Sequence, residues 1–229
     1  MFKNIVDKVL DLIYPNKCVL CNKEIVKRKD YLCKKCSKSL NLNGKSFYIE
    51  SDGNRGIKCL SAFEYAGDIK SAIWRFKFKG YKNYSEFFAN IMSEEIQSKF
   101  NDIKFDFICF VPLRKERKRN RGYNQSQCVA EGISFRTNIP CEDALIKIKN
   151  NHVQHELDLA SRRENVKGVY KVNKNCNVKG KTILLCDDIV TSGNTLSECA
   201  KILLEAGAQK VYCVTIAYIP KRVFSNKNQ

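Results

Sequence analysis

The segment KTILLCDDIVTSGNTL, residues 181–196, limits the folds available to this chain more than any other stretch. Its apolar first half is typical of a buried strand, and two adjacent carboxylates, Asp187 and Asp188, follow that strand. Next comes a loop of small residues that leads into a helix: Thr191, Ser192, Gly193, Asn194 and Thr195. Such a loop lets backbone N–H groups close on an anion, and the helix N-terminus adds partial positive charge. The segment therefore predicts an anion site at the carboxyl end of a strand, where open α/β sheets bind ligands.

The acid pair adds a second kind of contact to this anion site. Carboxylates do not bind phosphate, but they suit hydroxyl groups or a hydrated Mg²⁺. A phosphate and hydroxyl groups held close together describe a ribose 5-phosphate. Two alternatives stay open: an acid pair after a strand also occurs in Mg²⁺-binding receiver domains, and a helix N-cap with a solvated turn explains residues 191–195 alone. A P-loop ATPase is not indicated, because the sequence has no GxxxxGK[ST] motif.

Four of the twelve cysteines form two closely spaced pairs, Cys18-x2-Cys21 and Cys33-x2-Cys36, with eleven residues between them. Each pair can place two thiolates on one metal ion, so the pairs together predict a tetrahedral zinc site of the closed, structural kind. Asn22 follows the first pair, where the chain often needs a left-handed residue, and Asn tolerates that conformation. The alternative is four unconnected thiols. The other eight cysteines lie in mostly apolar stretches and are expected to be buried small hydrophobes rather than nucleophiles.

From residue 57 onward, strand patterns alternate with helix patterns, which favours an α/β fold with a mainly parallel sheet and helices on both faces. Strands are predicted over 57–65, 105–112, 144–149, 168–172, 181–186 and 210–217, helices over 68–79, 85–100, 124–136 and 195–206, and a helix or turn over 155–165. The expected domain order is an N-terminal helix over 1–15, the zinc module over 16–40, a linker or irregular loop over 41–56, the α/β domain over 57–220 and a polar tail over 221–229.

The net charge of +17 indicates an anionic partner, which can be nucleic acid, a phosphorylated metabolite or an acidic membrane surface. No apolar run reaches the roughly 18–20 residues that a membrane helix needs. Four charged side chains interrupt the first 15 residues, which therefore lack the apolar region of a signal peptide. A cytosolic protein with reduced thiols and no membrane partner is expected.

Residues 114–121 form a basic run of six cations and one acid, directly after the predicted strand that ends at Pro112. A charged run considered alone is most simply a solvated surface. Here it follows a strand whose carboxyl end can enter the same crevice as the phosphate loop. The sequence RGYNQ at 121–125 then indicates a turn into a helix, with Asn124 as its N-cap.

The order of strand, acid pair, Thr-Ser-Gly-x-Thr loop and helix resembles the signature of type I phosphoribosyltransferases. Further stretches narrow the resemblance to the ComF family of competence-associated phosphoribosyltransferase-like proteins, over roughly residues 15–217. These stretches are the four-cysteine module, WRFKFKG at 74–80, the basic run with RGYNQ, QHEL at 154–157, RREN at 162–165, GVY at 168–170 and the acid-pair loop.

The resemblance implies that the chain binds Mg²⁺-phosphoribosyl pyrophosphate. Asp187 and Asp188 would be the catalytic residues that hold the ribose hydroxyls, and residues 191–195 would hold the 5-phosphate. Cleavage at the anomeric carbon makes an oxocarbenium-like centre, so stabilising the leaving group electrostatically would be the main catalytic contribution. The departing pyrophosphate would be neutralised by nearby cations: Arg114, Lys115, Arg117 and Arg121.

Three roles agree with this resemblance. The chain transfers a phosphoribosyl group, or it binds single-stranded DNA or a competence-machinery protein such as a helicase without catalysis, or it senses phosphoribosyl pyrophosphate without turnover. The resemblance ties the cellular role to natural transformation, in which imported DNA is handled inside the cell. Trp74 and Phe76 stand among Arg75, Lys77 and Lys79, which suits base stacking beside phosphate-binding cations, although an amphipathic core helix is the simpler interpretation.

Overall fold

The computed structural model describes residues 16–25, 30–51, 54–113, 119–149 and 168–220. Its helices are α1 (Lys34–Ser39), α2 (Gly67–Phe78), α3 (Tyr84–Lys99), α4 (Gln125–Thr137) and α5 (Asn194–Glu205). Its strands are β1 (Lys45–Ser51), β2 (Asn54–Glu64), β3 (Phe107–Phe110), β4 (Leu145–Lys147), β5 (Tyr170–Val172), β6 (Thr182–Val190) and β7 (Lys210–Tyr218). None of these helices combines the length and the apolar character required to cross a membrane. The predicted elements over 1–15, 155–165 and 221–229 lie outside the described residues.

Five strands form the central sheet in the order β1-β2-β7-β6-β3. The pairs β2–β7, β7–β6 and β6–β3 are parallel, and β1 pairs antiparallel with β2 at one edge. Residues 183–186 of the interior strand β6 are fully buried, which explains why the sequence there is continuously apolar rather than alternating. The predicted α/β fold with a mainly parallel sheet is confirmed.

Apolar residues form a separate core on each face of the sheet. Leu184 and Cys186 of β6 belong to the core that contains the buried faces of α2, α3 and α4 and part of the cysteine module. Ile183 and Leu185, which alternate with them, belong to the core that contains the buried faces of α5, β1 and the small antiparallel β4–β5 sheet. Because successive strand residues point to opposite faces, β6 contributes to both cores, and helices cover both faces as predicted.

Residues 41–56 do not form the irregular linker that their polar composition predicts. Lys45–Ser51 forms β1, and β2 begins at Asn54. Phe47 and Ile49 are buried, while Tyr48 between them is 65% exposed. This alternation buries one face of β1 in the core, and that burial outweighs the polar residues on which the prediction rested.

Strand β6 extends past its predicted end at residue 186. It runs over Thr182–Val190 and pairs with β7 as far as Val190 opposite Tyr218. Asp187 and Asp188 therefore lie within the strand, near its carboxyl end, rather than in the loop after it. Ladder pairing with β7 restrains the backbone of the acid pair, because Asp187 lies opposite Thr215 in the register.

Candidate functional site

The sulfur atoms of Cys18, Cys21, Cys33 and Cys36 all lie within 4.8 Å of one another. Asn22 has the predicted left-handed conformation, with φ of 61°, and its amide donates to the Cys18 carbonyl at 2.9 Å. Cys33 caps α1, and its sulfur accepts a hydrogen bond from the Cys36 amide at 3.5 Å. That bond lowers the pKa of the Cys33 thiol to about 7, whereas burial raises the pKa of the Cys21 and Cys36 thiols. Four converging sulfurs are the donor set of a structural tetrahedral zinc site, so the residues present fit the ion.

The cysteine module is held against the α/β domain by Arg75 of α2. Its Nη2 atom donates to the carbonyl oxygens of Val19 at 2.8 Å and Leu20 at 2.6 Å. The guanidinium lies 5.9 Å from the centre of the Tyr84 ring, and the Tyr84 hydroxyl donates to the Asn22 side chain at 3.4 Å. Charge-assisted hydrogen bonds therefore tie the first cysteine turn to α2, a role that the sequence pattern did not indicate.

The loop after β6 surrounds a small pocket that is open to solvent. Gly193 is the N-cap of the twelve-residue helix α5 and has φ of 78°. A Cβ atom at this position would lie 2.7 Å from Cγ2 of Ile49 in β1. At Gly193 the loop therefore has a backbone conformation that only glycine fits, and the loop leads directly into the N-terminus of a helix. Both features suit an anion site. The pocket is lined by Asp187, Ile189, Val190, Thr191, Ser192, Gly193, Asn194, Thr195 and Leu196.

The two carboxylates of the acid pair have different surroundings. Asp187 Oδ1 accepts hydrogen bonds from the Ser126 hydroxyl and from the Asp188 amide, both at 2.8 Å. Asp188 Oδ1 forms an ion pair with Nζ of Lys77, also at 2.8 Å. Burial and, to a smaller extent, the charge of Asp188 raise the pKa of Asp187 to about 7. Asp187 thus lines the loop pocket, while Asp188 contacts α2.

The RGYNQ segment connects three elements beside the acid pair. Asn124 is the N-cap of α4, as predicted, and its side-chain oxygen accepts a hydrogen bond from the Ser126 amide at 3.1 Å. Its side-chain amide donates to the Val111 carbonyl at 3.0 Å. The Tyr123 hydroxyl donates to the Phe76 carbonyl. The start of α4 is therefore tied to the end of β3 and to the last turn of α2, which brings the Ser126 hydroxyl to the acid pair.

Of the four predicted pyrophosphate-binding cations, the structure describes only Arg121. Its guanidinium lies 4.7 Å from the centre of the Phe78 ring, and Nη1 donates to the Gln125 side chain at 3.1 Å. Arg121 is therefore not among the residues that line the loop pocket. The other three lie outside the described residues, and their contact with pyrophosphate stays a prediction: Arg114, Lys115 and Arg117.

The aromatic residues of α2 differ in exposure. Phe76 is fully buried, so the interpretation of this ring as a base-stacking surface is wrong, and an amphipathic core helix accounts for it. Trp74 and Phe78 are 48% and 56% exposed. The Lys79 ammonium lies 5.3 Å from the centre of the Trp74 ring. The exposed rings therefore lie beside cations.

Within the described parts of the chain, the side chains of Lys77 and Ser126 contact the acid pair, and the sequence patterns did not identify either contact. Lys77 lies within WRFKFKG, and Ser126 directly follows RGYNQ. The contacts span 111 and 61 residues of sequence, and no local pattern specifies them. The structure does bring Asp187 and all five predicted loop residues around one pocket, with Asp188 beside it.

The phosphoribosyl transferase domain family matches residues 85–228, and the double zinc ribbon domain family matches residues 9–47. Competence protein F of Haemophilus influenzae is 25% identical over 215 residues, which cover 85% of this chain and 93% of that protein. Competence protein ComFC of Bacillus subtilis is 27% identical over 208 residues, 87% of this chain and 83% of that protein. The DNA utilization protein YhgH of Escherichia coli O157:H7 is 32% identical over 112 residues, 48% of each chain.

These relatives confirm the resemblance to the ComF family that the motifs predicted. The match over 9–47 also assigns the four-cysteine cluster to a zinc ribbon. The chain therefore belongs to the phosphoribosyl transferase domain family, with a double zinc ribbon at its N-terminal side.

Proposed function

We propose that this chain binds Mg²⁺-phosphoribosyl pyrophosphate and acts as a phosphoribosyltransferase. The observation that carries the proposal is the pocket that Asp187 shares with residues 191–196 at the N-terminus of α5. Loop amides that bind a phosphate and carboxylates that bind hydroxyls together suit a ribose 5-phosphate group. Membership of the phosphoribosyl transferase domain family supports the same ligand.

The proposed chemistry assigns a separate task to each part of the site. Asp187 and Asp188 accept hydrogen bonds from the ribose hydroxyls and orient the ring. The loop amides anchor the 5-phosphate at the helix N-terminus. Bound Mg²⁺ supplies positive charge toward the pyrophosphate, and carboxylate oxygens are among the donors it prefers. The basic run over 114–121 supplies further positive charge as the bond to the anomeric carbon breaks.

Calorimetry with phosphoribosyl pyrophosphate and Mg²⁺ tests the ligand assignment. Asp187→Asn combined with Asp188→Asn should weaken binding about 100-fold or more, since two charge-assisted hydrogen bonds become neutral ones. The matched control is Asp102→Asn combined with Asp143→Asn, which removes the same charge from exposed positions outside the pocket lining. The control should bind like the wild type. Equal affinity of the acid-pair variant and the wild type would overturn the assignment.

A pyrophosphate-release assay separates catalysis from sensing. Candidate bases are supplied one at a time as acceptors, together with Mg²⁺ and phosphoribosyl pyrophosphate. Release that depends on a base and disappears in the acid-pair variant supports transfer. Saturable binding without release for any base would refute the transferase and leave a sensor of phosphoribosyl pyrophosphate.

We further propose that the chain works in the cytoplasm on imported DNA during natural transformation, beside a competence helicase or another DNA-processing protein. The names of the relatives support this role, since two are competence proteins and one is a DNA utilization protein. In a naturally transformable host that lacks the protein, the wild-type chain should restore transformation. Failure of the wild-type chain to do so would contradict the role.

Direct binding of single-stranded DNA is a second candidate function, favoured by the exposed rings of α2. Trp74 and Phe78 lie beside the cations of Lys79 and Arg121. Aromatic faces stack on bases without sequence preference, and cations contact the phosphates. Roughly four or five phosphate contacts would make log K fall with log salt at a slope of about −3.

Fluorescence anisotropy with a labelled oligonucleotide at several salt concentrations tests this second function. Phe78→Ala should weaken binding about 10-fold, the effect of losing one stacked base. Phe135→Ala is the control, because it removes a ring that is 85% exposed on α4. Competition by Mg²⁺-phosphoribosyl pyrophosphate would indicate that both anions use the basic run. No binding at low salt would refute the function.

A further inference from the structure

Lys77 contacts the acid pair from outside the loop pocket. Its Nζ atom lies 2.8 Å from Asp188 Oδ1, and the two side chains are only 17% and 16% exposed. An ion pair on a fully exposed surface contributes little, because water screens it and both side chains lose entropy. A pair that is mostly removed from water is different, since each charge there depends on its partner.

The helical turn that carries Lys77 is restrained on both sides. The preceding residue, Phe76, accepts a hydrogen bond from the Tyr123 hydroxyl through its carbonyl. Arg75, one residue earlier, donates to two carbonyls of the cysteine module. Three consecutive residues of α2 thus bind three different parts of the protein. The backbone from which Lys77 extends is therefore held in one position relative to β6.

The contacts of the acid pair show what Lys77 contributes. Asp187 Oδ1 is held by the Ser126 hydroxyl and the Asp188 amide, which restrict the rotation of that carboxylate. The corresponding restraint on Asp188 is the Lys77 ammonium. Two adjacent carboxylates also repel each other, and the ammonium beside Asp188 offsets that repulsion within the pair.

We propose that Lys77 is a positioning residue of the ribose subsite, which holds the Asp188 carboxylate in the orientation that accepts hydrogen bonds from the sugar hydroxyls. This inference rests on the proposed function. It assigns to Lys77 a task in recognising the sugar that is separate from the binding of phosphate by the loop.

Two small probes separate the sugar from the phosphate: ribose 5-phosphate and inorganic phosphate, each titrated without Mg²⁺ by calorimetry. Lys77→Met should raise the Kd for ribose 5-phosphate about 10-fold, the loss expected when one charged group no longer supports its hydrogen-bonding partner. The Kd for inorganic phosphate should change by less than about 2-fold, because the loop itself is intact. Lys77→Arg should retain most of the affinity for ribose 5-phosphate, since it keeps the charge.

The control is Lys70→Met, which removes one charge from an exposed position of the same helix. It should leave both Kd values unchanged. Equal weakening of both probes by Lys77→Met, or an unchanged Kd for ribose 5-phosphate, would overturn the inference. Far-ultraviolet circular dichroism checks that each variant is folded, and Lys77→Gln replaces Lys77→Met if the latter is not. A wild-type chain that binds neither probe would instead contradict the proposed function.

Discussion

Replacing Gly193 by alanine tests whether β1 supports the phosphate loop. Gly193 has φ of 78°, a conformation that disfavours any residue with a Cβ atom. The new methyl group would also lie 2.7 Å from Cγ2 of Ile49, closer than carbon atoms approach without a shift. Gly193→Ala therefore carries two separate costs, one for the left-handed backbone and one for the steric contact with Ile49. A second glycine with only the first of these features, Gly180, allows the two costs to be measured separately.

The left-handed conformation costs about 1–2 kcal/mol for a residue other than glycine. Overpacking a filled site typically adds about 1–3 kcal/mol. Gly193→Ala should therefore lower the free energy of unfolding by about 2–5 kcal/mol. Gly180 has a similar φ of 72°, but a Cβ atom there would meet nothing within 4 Å. Gly180→Ala should cost only the first component, about 1–2 kcal/mol.

Urea unfolding of the two variants measures both costs against the wild type. Adding Ile49→Ala should cost less stability in the Gly193→Ala background than in the Gly180→Ala background, because only in the former does it also remove the side chain that the new methyl group meets. Gly193→Ala should also weaken binding of Mg²⁺-phosphoribosyl pyrophosphate, because the shift occurs in the loop that is proposed to hold the phosphate. Equal losses of stability in the two alanine variants would refute the close approach of β1 to the loop.

Three other outcomes are expected. Elemental analysis should find about one zinc per chain, lost in Cys33→Ser, and full metal retention by Cys18→Ser combined with Cys33→Ser would contradict the assigned ligands. Asp187→Asn should raise the unfolding free energy of the ligand-free protein by about 1–3 kcal/mol at pH 8 and by almost nothing near pH 4. A carboxyl whose pKa rises to about 7 on folding destabilises the protein only at pH values at which the same carboxyl is ionised in the unfolded chain. Urea unfolding that shows no gain in stability at pH 8 would refute this expectation. Arg75→Met should lower the unfolding free energy by about 2–4 kcal/mol, because two carbonyls lose a charged donor, and a loss below about 0.5 kcal/mol would contradict the docking of the cysteine module.

Several features of this protein follow from the sequence alone because they depend on residues close together in the chain. The cysteine spacing specifies the cluster, and Asn22 takes the left-handed conformation that the turn between thiolates requires. Asn124 caps its helix through a hydrogen bond to a residue two positions away. Asp187 lines the same pocket as residues 191–195, because these residues are only a few positions apart in the chain. Backbone geometry over a few residues is sufficient for each of these.

Other features were decided only by the tertiary structure. The polar stretch over 41–56 contains a strand because Phe47 and Ile49 are buried in the core. That burial depends on the assembled sheet and not on the local sequence. The same strand places Ile49 behind Gly193. The contact between Lys77 and Asp188 joins residues 111 positions apart, and it exists because α2 packs on the face of the sheet that β6 crosses. Side chains distant in sequence meet according to how helices dock on strands, and a local pattern carries no information on that docking.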